Sequence, residues 1–384
     1  MSSTAATAQP AAKPYSPGLE GVVAGETQLS FVNSELKSLM YRGYDIRDLS
    51  ENATFEEVAY LMLYGKLPNT TEYKTFCDAL VAERTLPAPV IEALKTFPNT
   101  IHPMDALRTG TALLAMYDDE VPNNSHDANV RKAIRLTAKL PLLAAYSHRL
   151  SQGQPIVEPD NSLSHGANFL YMLLGEKPNP ETAKLFDTTL IAYVDHGFNA
   201  STFAARVTTS TLSDLHSGIV SAIGTLKGPL HGGANEEAMK LLMEIPNPEA
   251  AEAFILDALA TKKKIMGFGH RAYKNGDPRA VLLNEKAKDL CERTGQMRWF
   301  NTAKIVQDVM LREKNIHPNV DFPTAYIYYV MGLPIPIYTP MFAIARIAGW
   351  SAHVIEQLDH NKLIRPSVLY TGPQHVAYVP MVQR

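Results

Sequence analysis

The chain has 384 residues, enough for about two domains and a large buried core. Its 46% hydrophobic and 20% charged content is that of a globular protein and excludes wholesale disorder, collagen-like and coiled-coil architectures. A formal net charge of -3 leaves no basic surplus to hold nucleic acid by counterion release, so an anionic ligand needs a local concentration of Arg and His.

Residues 1–16 carry one Lys, no Arg and no apolar block of signal-peptide length, and read as a disordered tail rather than an address. The segment GVVAGETQLSFV suggests a small hairpin with Gly25 in its turn. Helix punctuation then recurs. Thr54 and Glu57 have the spacing of a capping box, with Gly65 at the stop. Asn179-Pro180, Asn247-Pro248, Asp277-Pro278 and Thr339-Pro340 each offer a capping side chain followed by a proline suited to the first helical position. Spacings of three and four follow, as in Leu185, Thr189, Ala192 and Tyr193. Cys77 and Cys291 are too few for a disulfide framework and lie in amphipathic helical stretches, which reads as two thiols in a reducing cytoplasm. No charged residue lies between Asp321 and Arg346, but Pro323, Pro334, Pro336 and Pro340 interrupt that window. Such prolines would leave backbone groups unpaired in lipid, so two buried helices meeting at a Pro-rich turn are expected, not a membrane span.

These signals predict an all-α chain of more than a dozen helices with a small N-terminal β-hairpin. No Ser- or Gly-rich linker divides it. A second domain is therefore expected as an insertion: a smaller helical domain over 224–331 within a larger one made of 17–223 and 332–384.

Five segments depart from a plain helical core. YVDHGFNAST carries Asp195, His196 and Asn199. In LKGPLHGGAN, His231 stands among glycines, and in IMGFGHRAYKNGDPR, His270 follows Gly267, Phe268 and Gly269 and precedes Lys274 and Arg279. HPNVDFPTAYIYY presents Asp321 before an apolar run, and IARIAGWSAHVIEQLDHNKLIRPS holds Arg346 and Arg365. Glycine beside histidine lets a ligand approach the backbone closely. Two such histidines and one Asp entering an apolar segment make a general acid/base set. Burial at that segment's mouth would make the carboxylate a stronger base. Arg279, Arg346 and Arg365 supply planar forks for carboxylates, so the set suits a small di-acid beside a carbon acid. Taken singly, each of these residues has an ordinary reading as a turn histidine or a surface arginine. HExxH, Walker A, G-x-S-x-G and paired CxxC patterns are absent, and none of the 12 His has metal-site spacing.

Together the segments resemble the citrate synthase family in its short prokaryotic form, from Gly18 to Met381. YRGYDI, HPMDALRTG, DHGFNASTFAARV, GPLHGGANE, GFGHRAY, NGDPR, PNVDF, TPMFAIARIAGW and LIRPS carry the resemblance in family order. It implies an acyltransferase that condenses acetyl-CoA with oxaloacetate and hydrolyses the citryl-CoA formed. Asp321 would take a proton from the acyl carbon, His231 would donate to the thioester oxygen, and His270 would act on the keto oxygen of oxaloacetate. His196, Arg279 and Arg346 would hold oxaloacetate, joined by Arg365 from the partner of a homodimer. Lys274 would face CoA phosphate, and the backbone of Gly267, Phe268 and Gly269 the adenine. Acyl-CoA would be a co-substrate, with no tightly bound cofactor, no metal, no nucleic acid and no membrane, in the cytoplasm. Gly197, Ala272 and the run after Asp321 depart from the commonest pattern, and the DFP run and HGFNASTFAARV also resemble 2-methylcitrate synthases, which take propionyl-CoA. The N-terminal extension that carries NADH regulation in longer relatives is expected to be missing. A protein that binds oxaloacetate or CoA without turnover is the alternative from another class.

Overall fold

The computed structural model describes residues 15–33, 38–270, 273 and 276–384. They form two compact units. One joins residues 15–26 to 364–384. It holds 3-10 turns at Pro17–Leu19 and Met381–Gln383, and the Ser16 hydroxyl donates to Glu20 O at 2.6 Å. Val368, Leu369, Tyr370, Tyr378 and Met381 are exposed there, as is Arg365. Of the tail expected over 1–16, residues 1–14 lie outside the described residues.

The other unit, 27–363, begins with a three-stranded antiparallel sheet, β1 (Ser30–Asn33), β2 (Ser38–Tyr41) and β3 (Tyr44–Asp45), with Ser30 opposite Tyr41. The small sheet expected near the N-terminus is present, but Gly25 is not in its turn. The strands start at Ser30, and β2 turns into β3 through Arg42 and Gly43, both with positive φ. Arg-Gly lacks the Asn or Asp that usually marks such a two-residue turn.

Sixteen α-helices follow among the described residues. They are α1 (Ile46–Asn52), α2 (Phe55–Tyr64), α3 (Thr70–Ala82), α4 (Ala88–Lys95), α5 (Pro103–Leu114), α6 (His126–Ser151), α7 (His165–Leu174) and α8 (Pro180–Tyr193). Then come α9 (Ala200–Thr209), α10 (Leu215–Leu226), α11 (Ala234–Glu244), α12 (Ala251–Ala260), α13 (Pro278–Arg293), α14 (Met297–Lys314), α15 (Asp321–Val330) and α16 (Tyr338–Asp359). Helices α11 to α15 fall within the segment expected to be an insertion.

Several helix ends follow their sequence signals. Thr54 and Glu57 form the reciprocal capping box, and Gly65 ends α2 at φ +79°. The carboxamide of Asn179 accepts from Thr182 N–H, and the carboxylate of Asp277 from Arg279 N–H. Asn247-Pro248 opens a 3-10 turn that leads into α12. Thr339-Pro340 does not open its helix: α16 starts one residue earlier, and the Thr339 hydroxyl bonds the buried Glu236 of α11 instead. The charge-free window folds as α15 and the start of α16, joined by a Pro-rich 3-10 turn at Ile335–Ile337. Among the described residues, no helix is long and apolar enough to cross a membrane.

Helix α16 runs through the core, buried from Tyr338 to Ile355 and packed on α6, α8, α9 and α10. A Cβ at Gly349 would stand 2.1 Å from Val194 O. Only glycine lets α16 pass this close to the end of α8, which brings Arg346 and Trp350 against the 194–199 turn. Cys291 is buried and Cys77 half-buried, and burial pushes both thiols up to about 11, so they are protonated at neutral pH.

Candidate active site

A cavity of about 750 Å³ gathers side chains from opposite ends of the sequence. His196, His231, His270, Arg279, Asp321 and Arg346 all line it, and so do Gly267, Phe268 and Gly269. Arg365 belongs to the other compact unit and is exposed. Lys274 lies outside the described residues. Lys264, which the sequence did not single out, also lines the cavity.

Asp321 is the first residue of α15, and its N–H donates to Asn319 Oδ1 at 3.0 Å. The carboxylate is buried, and its Oδ1 accepts a 2.7 Å hydrogen bond from the Tyr193 hydroxyl at the end of α8. Burial pushes its pKa up to about 6, against the opposing pull of Tyr193, Arg279 and Arg346. A carboxylate of that basicity is still ionised at neutral pH, yet takes a proton more readily than an exposed one.

His231 follows α10 and is partly buried; its desolvation lowers its pKa to about 4, with Arg346 adding to the effect. Its tautomer is fixed by geometry. The Ser201 backbone N–H, which can only donate, points at Nε2 from 3.3 Å, and Ser201 Oγ lies 2.8 Å from the same nitrogen. Nε2 therefore accepts, and the proton sits on Nδ1, the ring's other face. Trp350 Nε1 donates to Ser201 Oγ at 3.1 Å and so fixes the serine.

Residues 267–269 run antiparallel to 317–319. Gly269 N–H donates to His317 O at 2.9 Å, Asn319 N–H to Gly267 O at 3.0 Å, and Asn319 Nδ2 to Gly269 O at 3.0 Å. A Cβ on Gly267, whose φ is +83°, would meet Phe322 at 3.0 Å. This pairing binds the segment carrying His270 to the N-terminus of α15, which carries Asp321. Burial, Arg279 and Arg346 lower the His270 pKa to about 4 despite the opposing field of Asp277.

The two buried arginines are held differently. Arg279 makes a two-point contact with Asp277, Nε to Oδ1 at 3.0 Å and Nη2 to Oδ2 at 2.8 Å. Asp277 Oδ2 also accepts from Val320 N–H at 3.2 Å, next to Asp321. Burial works against the Arg279 charge, but Asp277 holds the group above its usual range. Arg346 donates through Nε to Tyr193 O at 2.5 Å and lies over the Phe342 ring at 4.7 Å. Its Nη1 is buried with no hydrogen-bond partner among the described residues. A buried donor without an acceptor is unfavourable by about 1–3 kcal/mol, more for a charged group, unless a ligand anion completes it. His196 accompanies them. Its Nε2 lies 2.9 Å from the Tyr273 hydroxyl and its ring 4.6 Å from that of His270. Burial, Arg279 and His270 keep it neutral well below the usual histidine range.

The cavity thus offers a basic carboxylate, neutral imidazole donors and a cationic guanidinium with a vacant N–H. Such a set is chemically able to remove a proton from carbon and to stabilise the resulting oxyanion while holding a carboxylate substrate. Among the described residues no group of three or more His, Cys, Asp or Glu is arranged to hold a metal ion. Sequence reading missed Tyr193, Ser201, Tyr273 and the pairing of Asp277 with Arg279, although Asp277 was visible as a helix cap.

The family model for the citrate synthase C-terminal domain matches residues 18–367. Citrate synthase 2 of Bacillus subtilis is 47% identical over 368 residues, spanning 96% of this chain and 98% of that protein. The citrate/2-methylcitrate synthase of the same organism is 42% identical over 362 residues, 94% of this chain and 97% of that protein. Among solved structures, the ternary complex of carboxymethyl coenzyme A and oxaloacetate with the citrate synthase of Thermoplasma acidophilum superposes with a TM-score of 0.93 at 33% identity, covering 97% of this chain and all of the other.

Proposed function

The chain belongs to the citrate synthase family, and from this premise we propose that it joins the acyl carbon of acetyl-CoA to the keto carbon of oxaloacetate and hydrolyses the citryl-CoA thioester to citrate and CoA. The observation that carries the reading is the convergence of Asp321, His231, His270 and the vacant Arg346 Nη1 on one cavity.

Asp321 removes a proton from the acyl methyl group. An Asp of ordinary pKa, about 3.9, is far too weak a base to do this in water. Burial to a pKa of about 6 helps, and so does stabilisation of the product as it forms. The Nδ1 proton of His231 hydrogen-bonds the thioester oxygen as the enol develops, an interaction worth about 10² to 10³ in rate. The enol carbon attacks the keto carbon, and His270 gives a proton to the keto oxygen as the new carbon–carbon bond closes. Water then attacks the thioester carbonyl, and the sulfur leaves as CoA. Arg346, Arg279 and His196 hold the oxaloacetate carboxylates throughout. Lys274, with Lys264 beside the cavity, faces CoA phosphate, and Gly267, Phe268 and Gly269 present backbone to the adenine.

Water must be kept from the enol, so the segment 224–331 closes on 17–223 and 332–384 as a smaller domain on a larger one. His231 and His270 travel on that segment. The protein acts as a homodimer in the cytoplasm, with Arg365 completing the oxaloacetate site of the partner. The exposed apolar side chains near Arg365 favour that arrangement, because an exposed apolar stretch of this kind marks an interaction surface.

Release of CoA thiol from acetyl-CoA and oxaloacetate tests the proposal, and no release with either acetyl-CoA or propionyl-CoA ends it. Comparing kcat/KM for the two thioesters decides between the citrate and 2-methylcitrate reactions. One methylene is worth only about 1 to 3 kcal/mol in an apolar pocket, so both activities can coexist in one cavity.

A further inference from the structure

Behind the arginine side of the cavity runs a buried chain of charged and polar groups that does not line it. Asp195, wholly buried, immediately precedes His196. Its Oδ2 accepts from the Ser30 hydroxyl at 2.5 Å, from His353 Nε2 at 3.0 Å and from Gly197 N–H at 3.4 Å. Its Oδ1 has no hydrogen-bond partner among the described residues and faces α16, where a Cβ on Gly349 would stand 3.0 Å away. Arg346 lies one turn earlier on that helix, and each group stabilises the other's charge.

His353 is wholly buried too, and its protonation pattern is set from behind. Its Nδ1 lies 3.0 Å from Arg206 Nη1, a group that only donates. Nδ1 therefore accepts, and Nε2 carries the proton toward Asp195. Arg206 Nη1 also donates to Glu356 Oε2 at 2.7 Å, and its Nε to Gln357 Oε1 at 3.2 Å. The guanidinium lies 4.4 Å from the Phe198 ring centroid. Glu356 Oε1 accepts from Gln28 N–H at 2.8 Å. From Glu356 through Arg206 and His353 to Asp195, donors and acceptors alternate, and each is committed by its neighbour.

We propose that Asp195 and His353 are positioning residues for oxaloacetate. They fix the 195–199 turn that sets His196 and Asn199 on the cavity wall, and they hold the Asp195 carboxylate against α16, one turn from Arg346. Neither touches substrate. Arg279 has its own carboxylate in direct contact, Asp277, whereas Arg346 has Asp195 only at a distance. Its Nη1 stays available for a ligand, while Nε is held by Tyr193 O. The inference rests on the reading that Arg346 and His196 hold oxaloacetate.

The test uses the full chain with acetyl-CoA and oxaloacetate and compares His353→Leu, His353→Gln, Asp195→Asn and Arg346→Gln. His353→Leu is expected to raise the oxaloacetate KM by about tenfold or more while kcat at saturation and the acetyl-CoA KM stay within about threefold. His353→Gln retains an N–H that reaches Asp195, and it should recover most of the lost affinity. A purely structural role would not produce that split or that rescue. A folded His353→Leu protein with the parent's oxaloacetate KM overturns the proposal, as does a glutamine variant no better than leucine. If His353→Leu does not fold, Asp195→Asn carries the test: a raised oxaloacetate KM supports the proposal and an unchanged one overturns it. Arg346→Gln separates the two levels. An unchanged KM there sinks the assignment of the oxaloacetate site itself, whereas a raised KM in Arg346→Gln beside an unchanged one in His353→Leu sinks only the positioning pair.

Discussion

Tyr193 joins the two halves of the cavity's chemistry: its hydroxyl donates to Asp321 Oδ1 at 2.7 Å, and its backbone carbonyl accepts from Arg346 Nε at 2.5 Å. The proposed base and the proposed carboxylate-binding guanidinium are thus fixed to one residue at the end of α8. Its ring is buried, 4.2 Å from that of Phe342.

The pH dependence of kcat follows from this contact. As the proposed base, Asp321 would have to be ionised to act, and its pKa is held near 6 by burial. Activity therefore rises with pH through about 6 and levels off above it. Tyr193→Phe removes a hydrogen bond that favours the ionised form, so the acid limb should move to higher pH while the protein stays folded. A kcat–pH profile measures this, and an acid limb in the phenylalanine variant unmoved from the parent's would exclude Tyr193 from tuning the base. Asp321→Asn should abolish most of kcat with oxaloacetate affinity near that of the parent.

The fixed tautomer of His231 makes a second, sharper forecast. The His231 proton is on Nδ1 because Ser201 N–H occupies Nε2, so the proposed donor to the thioester is Nδ1. An asparagine amide reaches about as far as Nδ1, and a glutamine amide about as far as Nε2. Both variants lose activity, by about 10² to 10³ where no donor reaches the thioester oxygen. His231→Asn should nevertheless retain more kcat than His231→Gln. Steady-state rates with both substrates saturating decide it, and the reverse order would place the working proton on the other nitrogen.

What could be read from the sequence and what could not have separate physical causes. His231, His270 and Arg279 stood out because they interrupt apolar periodicity with glycine, proline and charge. Tyr193 did not, because it sits at spacing Leu185, Thr189, Ala192, Tyr193 as one more core residue of α8. Its hydroxyl acquires a chemical role only once α15 lies alongside. Asp277 was legible as a helix cap, a local role, whereas its two-point contact with Arg279 and its hold on Val320 depend on the fold. The hairpin was misplaced because Gly25 is the stronger turn signal by composition, yet the chain reverses at Arg42-Gly43. Thr339-Pro340 failed as a helix start for a related reason: the carboxylate of Glu236, distant in sequence, claims the hydroxyl that would have capped it.

Arg365 gives a prediction that concerns assembly. If it serves the partner's site, Arg365→Ala weakens oxaloacetate binding by about tenfold or more, the scale of one lost charged contact. Chains carrying Arg365→Ala and chains carrying Asp321→Asn are each poorly active alone. Co-expressed as a mixed dimer, they form one site that has both intact residues. Activity above the sum of the two parents is expected, and none in a verified mixed dimer would confine Arg365 to its own chain.

The last prediction concerns stability and a buried pair of acids away from the cavity. Glu56 Oε1 accepts from His165 N–H at 2.7 Å, and Asp187 Oδ2 from Phe55 N–H at 3.1 Å, leaving Glu56 Oε2 and Asp187 Oδ1 without partners among the described residues. Burial, and then the field of Glu56, pushes the Asp187 pKa up to about 8, against the opposing pull of the Phe55 N–H and Lys184. Glu56 is raised as well, by burial, with Arg84 opposing, so the folded pair keeps a proton that the unfolded chain releases near pH 4. A folded pKa above the unfolded one gives stability that is fully present below the unfolded pKa and is lost as pH rises toward the folded one. The loss runs from about pH 4 to about pH 8 at up to about 1.4 kcal/mol per pH unit for one group. Neighbouring His165, held to a pKa near 3 by burial and Arg84, is neutral when folded but protonates in the unfolded chain below about 6.5, so it opposes this slope on the acid side, equally in parent and Asp187 variant. Asp187→Asn keeps a carbonyl to accept from Phe55 and adds an N–H for Glu56, with nothing left at that position to ionise. Its melting temperature should rise relative to the parent's as pH goes from 5 to about 8, and the difference should be greatest at the alkaline end. Parallel thermal melts across that range check it, and superimposable slopes would mean that Asp187 is already ionised in the folded protein at low pH.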